Sequence, residues 1–179
     1  MRICIFGASS RELAQGYYSA AEKLGRLIAS SGHALVFGGG DGGLMGACAR
    51  GVSACGGEVI GFAPRCFNTP GVLYPGCTRL EFTDTIRERK ARMEAESDAL
   101  IVLPGGVGTL EEFFEILTLK QIGLLNKPIA MLNTLGYYDG LVAMLRHSTA
   151  AGFMTRGCLE LFALADTPEE ALAQVTQGV

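Results

Sequence analysis

Short runs that are apolar at every position alternate along this chain with longer stretches whose apolar residues recur every three or four positions. Residues 2–6 (RICIF), 34–37 (ALVF), 58–63 (EVIGFA), 99–103 (ALIVL) and 127–132 (KPIAML) are of the first kind. They read as strands, joined by a short one at 80–82 and a last one at 161–164. Residues 16–31 are of the second kind, with Tyr17, Ala20, Ala21, Leu24, Leu27 and Ile28 on one helical face and Gly32 as the stop. The same periodicity predicts helices over 43–55, 84–97, 109–122 and 137–151, and a final one opened by Thr167 and Pro168. Residues 64–79 carry prolines and glycines and read as a loop.

A strand with no polar alternation is covered on both faces. Strands of that kind separated by helices imply a parallel sheet between two helical layers. The expectation is an α/β fold: one Rossmann-like, doubly wound domain over 1–179, with a parallel sheet of about six or seven strands. Ligands of such sheets bind outside the carboxyl ends of the strands. Three glycine-bearing segments fall there: Gly7 to Ser10, Gly38 to Gly46, and Pro104 to Thr109. Glycine lets backbone N–H groups close around an anion, and a following helix adds partial positive charge. Glycines that only make tight turns would give the same pattern.

Composition narrows the classes. The chain has 179 residues, of which 25 are glycine, about twice the usual share of roughly 7%. Charged residues are only 18%, which suggests that some surface is hidden in a partner subunit. The net charge of −3 offers no general attraction to nucleic acid or to an anionic membrane. No apolar run reaches the ~18 residues of a membrane helix, and no leader-like segment precedes the first strand. The six cysteines form no C-x-x-C pair and the two histidines, His33 and His147, lie far apart, so no metal site is expected. Most of the cysteines sit among small or apolar residues. They read as buried free thiols of a reducing compartment, the cytoplasm.

Two motifs need more than a fold to explain them. Gly38, Gly40 and Gly43 spell G-x-G-x-x-G, but on the second strand and without an acid ending the next one, so a nicotinamide dinucleotide is disfavoured. No Gly-Lys-Ser/Thr follows any glycine segment, which excludes a Walker-type loop. Thr109-Leu110-Glu111-Glu112 reads as a capping box, with Thr109 at the N-cap and Glu112 at the third position. That alone would account for Glu112, yet the same placement sets a carboxylate beside a glycine-rich anion loop. Between Arg87 and Glu96 seven of ten residues are charged, with Thr83 or Asp84 as the helix cap and Glu88–Arg92 as an i,i+4 pair. A solvated helix face would look like this. So would a helix that carries Arg89 and Lys90 over the carboxyl edge of the sheet, where a guanidinium suits phosphate, ribose or a departing base.

Taken together, the run from Pro104 to Glu112, Arg89-Lys90 ahead of it, Gly38 to Gly40 with Gly43 to Gly46, and Asn133 to Tyr138 with Gly152-Phe153 resemble the Lonely Guy (LOG) family. These are the cytokinin riboside 5′-monophosphate phosphoribohydrolases, whose hallmark PGGxGTxxE stands here without exception. The first loop departs from the usual Cys-Gly-Ser-Ser, reading Gly7-Ala8-Ser9-Ser10. The resemblance implies Arg89 and Glu112 as a catalytic pair. It implies that Gly105, Gly106, Val107, Gly108 and Thr109 hold a 5′-phosphate. Lys90, Glu111 and Thr118, with Ser9, Gly39 and Gly40, are the further substrate-binding positions it implies.

The implied reaction is hydrolysis of a purine nucleoside 5′-monophosphate, AMP or a cytokinin-type N6-modified relative, to free base and ribose 5-phosphate. It needs no cofactor or metal, and the implied assembly is a homodimer. Relatives are often labelled lysine decarboxylases, but no lysine here sits in a convincing pyridoxal-phosphate site. The alternatives are a non-catalytic carrier of a nucleotide or of the molybdenum cofactor on a related fold, and a nicotinamide-dependent oxidoreductase.

Overall fold

The computed structural model describes residues 1–177; the last two residues of the domain read from the sequence lie outside the described residues. Seven strands form one sheet: β1 Arg2–Phe6, β2 Ala34–Phe37, β3 Val59–Pro64, β4 Arg79–Thr83, β5 Ala99–Val102, β6 Ile129–Leu132 and β7 Ala163–Ala165. Their order is β4-β3-β2-β1-β5-β6-β7 and every pairing is parallel. The chain winds outward from β1 to β4, then returns to the other side of β1 with β5. The switch point is therefore the crevice between β1 and β5, where such sheets bind ligands.

The period-2 geometry of the strands divides the core in two. Ile3, Ile5, Leu35, Phe37, Ile101 and Leu132 face α1 (Gln15–Ser30), α2 (Gly43–Ala54) and α6 (Pro168–Thr176). Cys4, Phe6, Val36, Leu100, Val102 and Met131 face the opposite layer of α3 (Ile86–Ala95), α4 (Val107–Gln121) and α5 (Asp139–Ala150). The unbroken apolar runs in the sequence are what this two-sided burial requires.

Several element ends differ from the sequence expectation, each for a local reason. The charged helix is capped by Thr85, not Thr83 or Asp84: the Thr85 hydroxyl accepts the Glu88 N–H at 3.0 Å. The Glu88 carboxylate accepts the Asp84 N–H, also at 3.0 Å, so it is engaged at the helix start and not with Arg92. The helix expected from 109 starts two residues earlier at Val107, with Gly106 as its N-cap and no side-chain cap. Thr109 and Glu112 therefore form no capping box. The box that is present joins Thr167 and Glu170, with Pro168 at the first helical position. Tyr137 and Tyr138 precede α5, at the end of a 3₁₀ turn over Thr134–Gly136. The last strand is shifted to 163–165. Of the cysteines, Cys4, Cys48 and Cys158 are buried and Cys77 is half-buried. Cys55, at the C-cap of α2, and Cys66, in the 3₁₀ turn after β3, are exposed.

α1 and α2 pack backbone to backbone. A Cβ on Gly25 would run into the Cys48 carbonyl, and one on Gly51 into the Glu22 carbonyl. Gly140 in α5, by contrast, has nothing within 4 Å of its Cβ position. The same substitution should therefore have opposite signs at the two places. Gly25→Ala is expected to destabilise by about 2–3 kcal/mol through overpacking, and Gly140→Ala to stabilise by about 0.5 kcal/mol by restricting the unfolded chain. Urea unfolding of the two variants checks this; equal effects would contradict the packing described.

Candidate active site

Three segments meet at the carboxyl edge of the sheet because backbone hydrogen bonds stitch them together. The Ala8 N–H, after β1, donates to the Pro104 carbonyl after β5 at 3.0 Å. The Leu44 N–H, in the first turn of α2, donates to the Ala8 carbonyl at 2.8 Å. Gly43 makes this approach possible. Its φ is +61°, and a Cβ there would overlap the Ala8 carbonyl.

A cavity of about 480 Å³ opens over this junction. Gly7 to Ser10 form one wall and Gly106, Val107, Gly108 and Thr109, the first turn of α4, form the facing wall. No backbone acceptor within the helix is available to the first N–H groups of α4, so they and the helix dipole present positive potential to the cavity. Arg89, Glu111 and Glu112 also line it, with Met45, Phe67 and Ile86. A second cavity of about 320 Å³ shares Ser9, Met45, Phe67 and Arg89 with the first. It extends beneath the 65–76 segment, over Arg11, Gly38, Gly40, Val72 and Leu73.

Arg89 and Glu112 join the two cavities chemically. The Arg89 Nη2 donates to a Glu112 carboxylate oxygen, although the residues are 23 positions apart, and both side chains are only 11–12% exposed. Gly38 makes room for the guanidinium: a Cβ there would lie 2.9 Å from Nη1. The Arg89 Nε is buried and has no partner among the described residues. Burial pushes the Glu112 carboxyl up to about 7, with the nearby Glu111 adding to the rise and Arg89 opposing it. A carboxyl of this kind changes charge near neutral pH, a property typical of groups that handle protons.

The structure brings most of the expected residues together: Arg89, Glu112, Glu111, Ser9, Gly40, and Gly106 through Thr109 all line one or the other cavity. Gly105 lies on the far side of the loop, facing a small cavity of about 130 Å³ beside Tyr17 and Tyr137. Three expected residues lie outside all of these linings. Gly39 accepts the Tyr74 N–H at 2.9 Å and secures the 65–76 segment. The Lys90 ammonium is bound between the carboxylates of Glu111 at 2.5 Å and Glu115 at 2.6 Å, tying α3 to α4. The Thr118 hydroxyl donates back to the Phe114 carbonyl at 2.7 Å, on the outer face of α4.

Sequence reasoning missed Met45, Phe67, Val72 and Leu73. Their apolar character was visible, but nothing local shows that the 65–76 segment folds back over β2. That contact is a long-range one, a bridge of Gly40 with Leu73.

The sequence pattern of the family described as Possible lysine decarboxylase matches residues 45–175. No lysine lines the three cavities around the glycine loop, so the site offers no Schiff-base partner for pyridoxal phosphate. A Rhodococcoides fascians protein named cytokinin riboside 5′-monophosphate phosphoribohydrolase is 41% identical over 160 residues, 89% of this chain and 81% of its own. A protein of Oryza sativa subsp. japonica named probable cytokinin riboside 5′-monophosphate phosphoribohydrolase LOGL1 is 38% identical, over 98% of this chain and 79% of its own. Among solved structures, the molybdenum cofactor carrier protein of Chlamydomonas reinhardtii superposes with a TM-score of 0.74 at 25% identity, covering 98% of this chain and 96% of its own. With the hallmark intact and the identity spread over nearly its whole length, the chain belongs to the cytokinin riboside 5′-monophosphate phosphoribohydrolase (LOG) family.

Proposed function

We propose that this protein hydrolyses the N-ribosidic bond of a purine nucleoside 5′-monophosphate, AMP or an N6-modified relative, giving the free base and ribose 5-phosphate. One observation carries the reading: a buried Arg89–Glu112 pair stands beside the N-terminus of α4, and a buried guanidinium N–H still lacks an acceptor. A phosphate belongs against Gly106, Val107, Gly108 and Thr109, where free N–H groups and the helix dipole favour it. The base then extends into the apolar cavity of Met45, Phe67, Val72 and Leu73. The sugar lies between, beside Arg89 and Glu112.

The chemistry follows from that placement. When the C1′–N9 bond breaks, both electrons leave with the base and positive charge develops on the ribose, as in glycoside hydrolysis. A Glu112 carboxylate beside the sugar stabilises that charge and accepts a proton from the water that adds at C1′, while the departing base takes up a proton from solvent, and Glu112 then returns its own to solvent. Arg89 keeps the carboxylate in place, and its remaining N–H groups are free for a ribose hydroxyl, the phosphate or the departing base. Lys90, held by Glu111 and Glu115, acts by fixing α3 against α4.

Glu112→Gln keeps the volume and a carbonyl oxygen for Arg89, so it should retain the fold and lose at least about 10²-fold in kcat. For the wild type, the free-enzyme pKa sets the pH profile of kcat/KM. Because the ionised carboxyl is the active form and burial raises it to about 7, kcat/KM should climb as pH rises through about 7. Release of base from AMP, followed by chromatography, checks both. Full activity of Glu112→Gln, or a wild-type profile that falls through pH 7, would contradict the role given to Glu112.

A second reading has a specific observation in its favour, the likeness to the Chlamydomonas carrier. A carrier would bind AMP and release no base. Cytoplasmic location and a homodimer remain part of the proposal. Among the described residues no helix is long and apolar enough to cross a membrane. Val107 at 85%, Leu124 at 73% and Phe153 at 86% exposure leave apolar surface for a second copy to cover. Sedimentation equilibrium should give a dimer at micromolar concentration; a monomer would exclude that assembly.

A further inference from the structure

The loop that starts α4 is held from outside through three successive carbonyls. The Tyr138 hydroxyl donates to the Leu103 carbonyl at 2.7 Å. The Ala8 N–H donates to the Pro104 carbonyl at 3.0 Å. The Tyr137 hydroxyl donates to the Gly105 carbonyl at 2.8 Å. The two tyrosines are themselves fixed. Asn133 accepts the Tyr138 N–H at 2.7 Å and donates to Asp139 at 2.9 Å and Asp166 at 3.2 Å. The Tyr17 ring stands edge-on to Tyr137, with centroids 6.0 Å apart. Leu135, in this same turn, adopts φ +57°, the one left-handed non-glycine among the described residues. Strain of that kind persists only where surrounding contacts over-determine the backbone.

The third carbonyl matters most. In a trans peptide the C=O and the following N–H point in opposite directions. Gly106 borders both the small cavity beside Tyr137 and the larger one with Val107 to Thr109; with the Gly105 oxygen drawn toward Tyr137, trans geometry turns the Gly106 N–H away from the Tyr137 side and so toward the larger cavity. A peptide between two glycines has little steric resistance to flipping. Gly105 packs closely against Thr109 on one side, and neither glycine carries a Cβ of its own, so a hydrogen bond is left to select the orientation of the peptide between them. A flipped peptide would put a carbonyl oxygen where an anion has to sit.

We propose that Tyr137 is a positioning residue that latches the Gly105–Gly106 peptide with its N–H toward the phosphate of the substrate. The proposal rests on the reading of the α4 N-terminus as the phosphate site. It assigns a function to a side chain that is 45% exposed and is not needed to fill the core, unlike Tyr138 at 1%. The latch acts on the phosphate and not on the bond that breaks. Its loss should therefore appear in binding and in KM, with kcat preserved.

The test is calorimetric titration of ribose 5-phosphate into the wild type, Tyr137→Phe and Tyr17→Phe, with KM and kcat for AMP measured on the same proteins. Tyr17→Phe retains the ring packing and removes a hydroxyl that bonds to nothing in the loop, so it should behave as wild type. Tyr137→Phe should weaken ribose 5-phosphate by about five- to tenfold, the cost of one lost hydrogen bond. KM should rise by a similar factor and kcat should stay within about twofold, with the protein still folded by its urea unfolding curve and only a small drop in midpoint from the lost hydrogen bond. Wild-type affinity in Tyr137→Phe, or a fall in kcat with KM unchanged, would overturn the latch while leaving the phosphate site standing. Failure of the wild type itself to bind ribose 5-phosphate would overturn the phosphate site and the latch with it.

Discussion

Burying a carboxylate beside a guanidinium costs several kcal/mol of hydration per ion, and only good geometry with further hydrogen bonds offsets it. Arg89 and Glu112 accept that cost at the carboxyl edge of the sheet, and much of the surrounding structure can be understood as what makes it tolerable. The missing Cβ of Gly38 leaves room for the guanidinium just beyond the end of β2. The Lys90 clamp with Glu111 and Glu115 fixes α3, which carries Arg89, against α4, which carries Glu112. The compensation is incomplete, since Arg89 retains a buried unpartnered Nε and Glu112 is held well above the usual carboxylate range. Both residual imbalances are of the kind that a bound anion and a reacting sugar would relieve.

The strand order converts this local arrangement into a site. Because β1 and β5 are neighbours, the loops that follow them face each other, and the hydrogen bond from Ala8 to Pro104 sets their separation. The β2 loop joins through Leu44 and Gly43. Three glycine segments that are far apart in the chain thus form one rim. The molybdenum cofactor carriers share the fold, and a fold shared by a carrier and by hydrolases does not decide between holding a ligand and cleaving it. What bears on that question is the chemistry above the rim, a buried carboxyl raised to about 7 next to a fixed cation.

Much of this was legible in the chain. Fully apolar runs such as residues 99–103 specify buried parallel strands, and Gly-rich breaks at their ends place the loops. The hallmark from Pro104 to Glu112, with Arg89-Lys90, named the pair that the structure brings into contact. The local pattern misled where a tertiary contact outweighs a helix-start preference. Thr109 and Glu112 have capping-box spacing, yet the helix begins at Val107 because Gly106 caps it, and Glu112 turns to Arg89 instead of its own backbone. Lys90 matched a ligand-binding position by motif, but two carboxylates one turn apart on α4 hold it. Tyr137 was visible as an aromatic residue near a helix start, within the Asn133 to Tyr138 segment of the resemblance, but with no role attached. Its hydrogen bond to Gly105 spans 32 residues, and no periodicity encodes a contact of that kind.

In the reaction we propose, water activated at Glu112 replaces the base at C1′ of a bound nucleotide. The most direct measurement is to incubate the protein with AMP in H₂¹⁸O and analyse the products promptly by mass spectrometry. Equimolar adenine and ribose 5-phosphate carrying one ¹⁸O, at the anomeric carbon, is the predicted result. AMP recovered intact from a protein that binds it, or ¹⁸O found in phosphate with adenosine as the other product, would rule that reaction out.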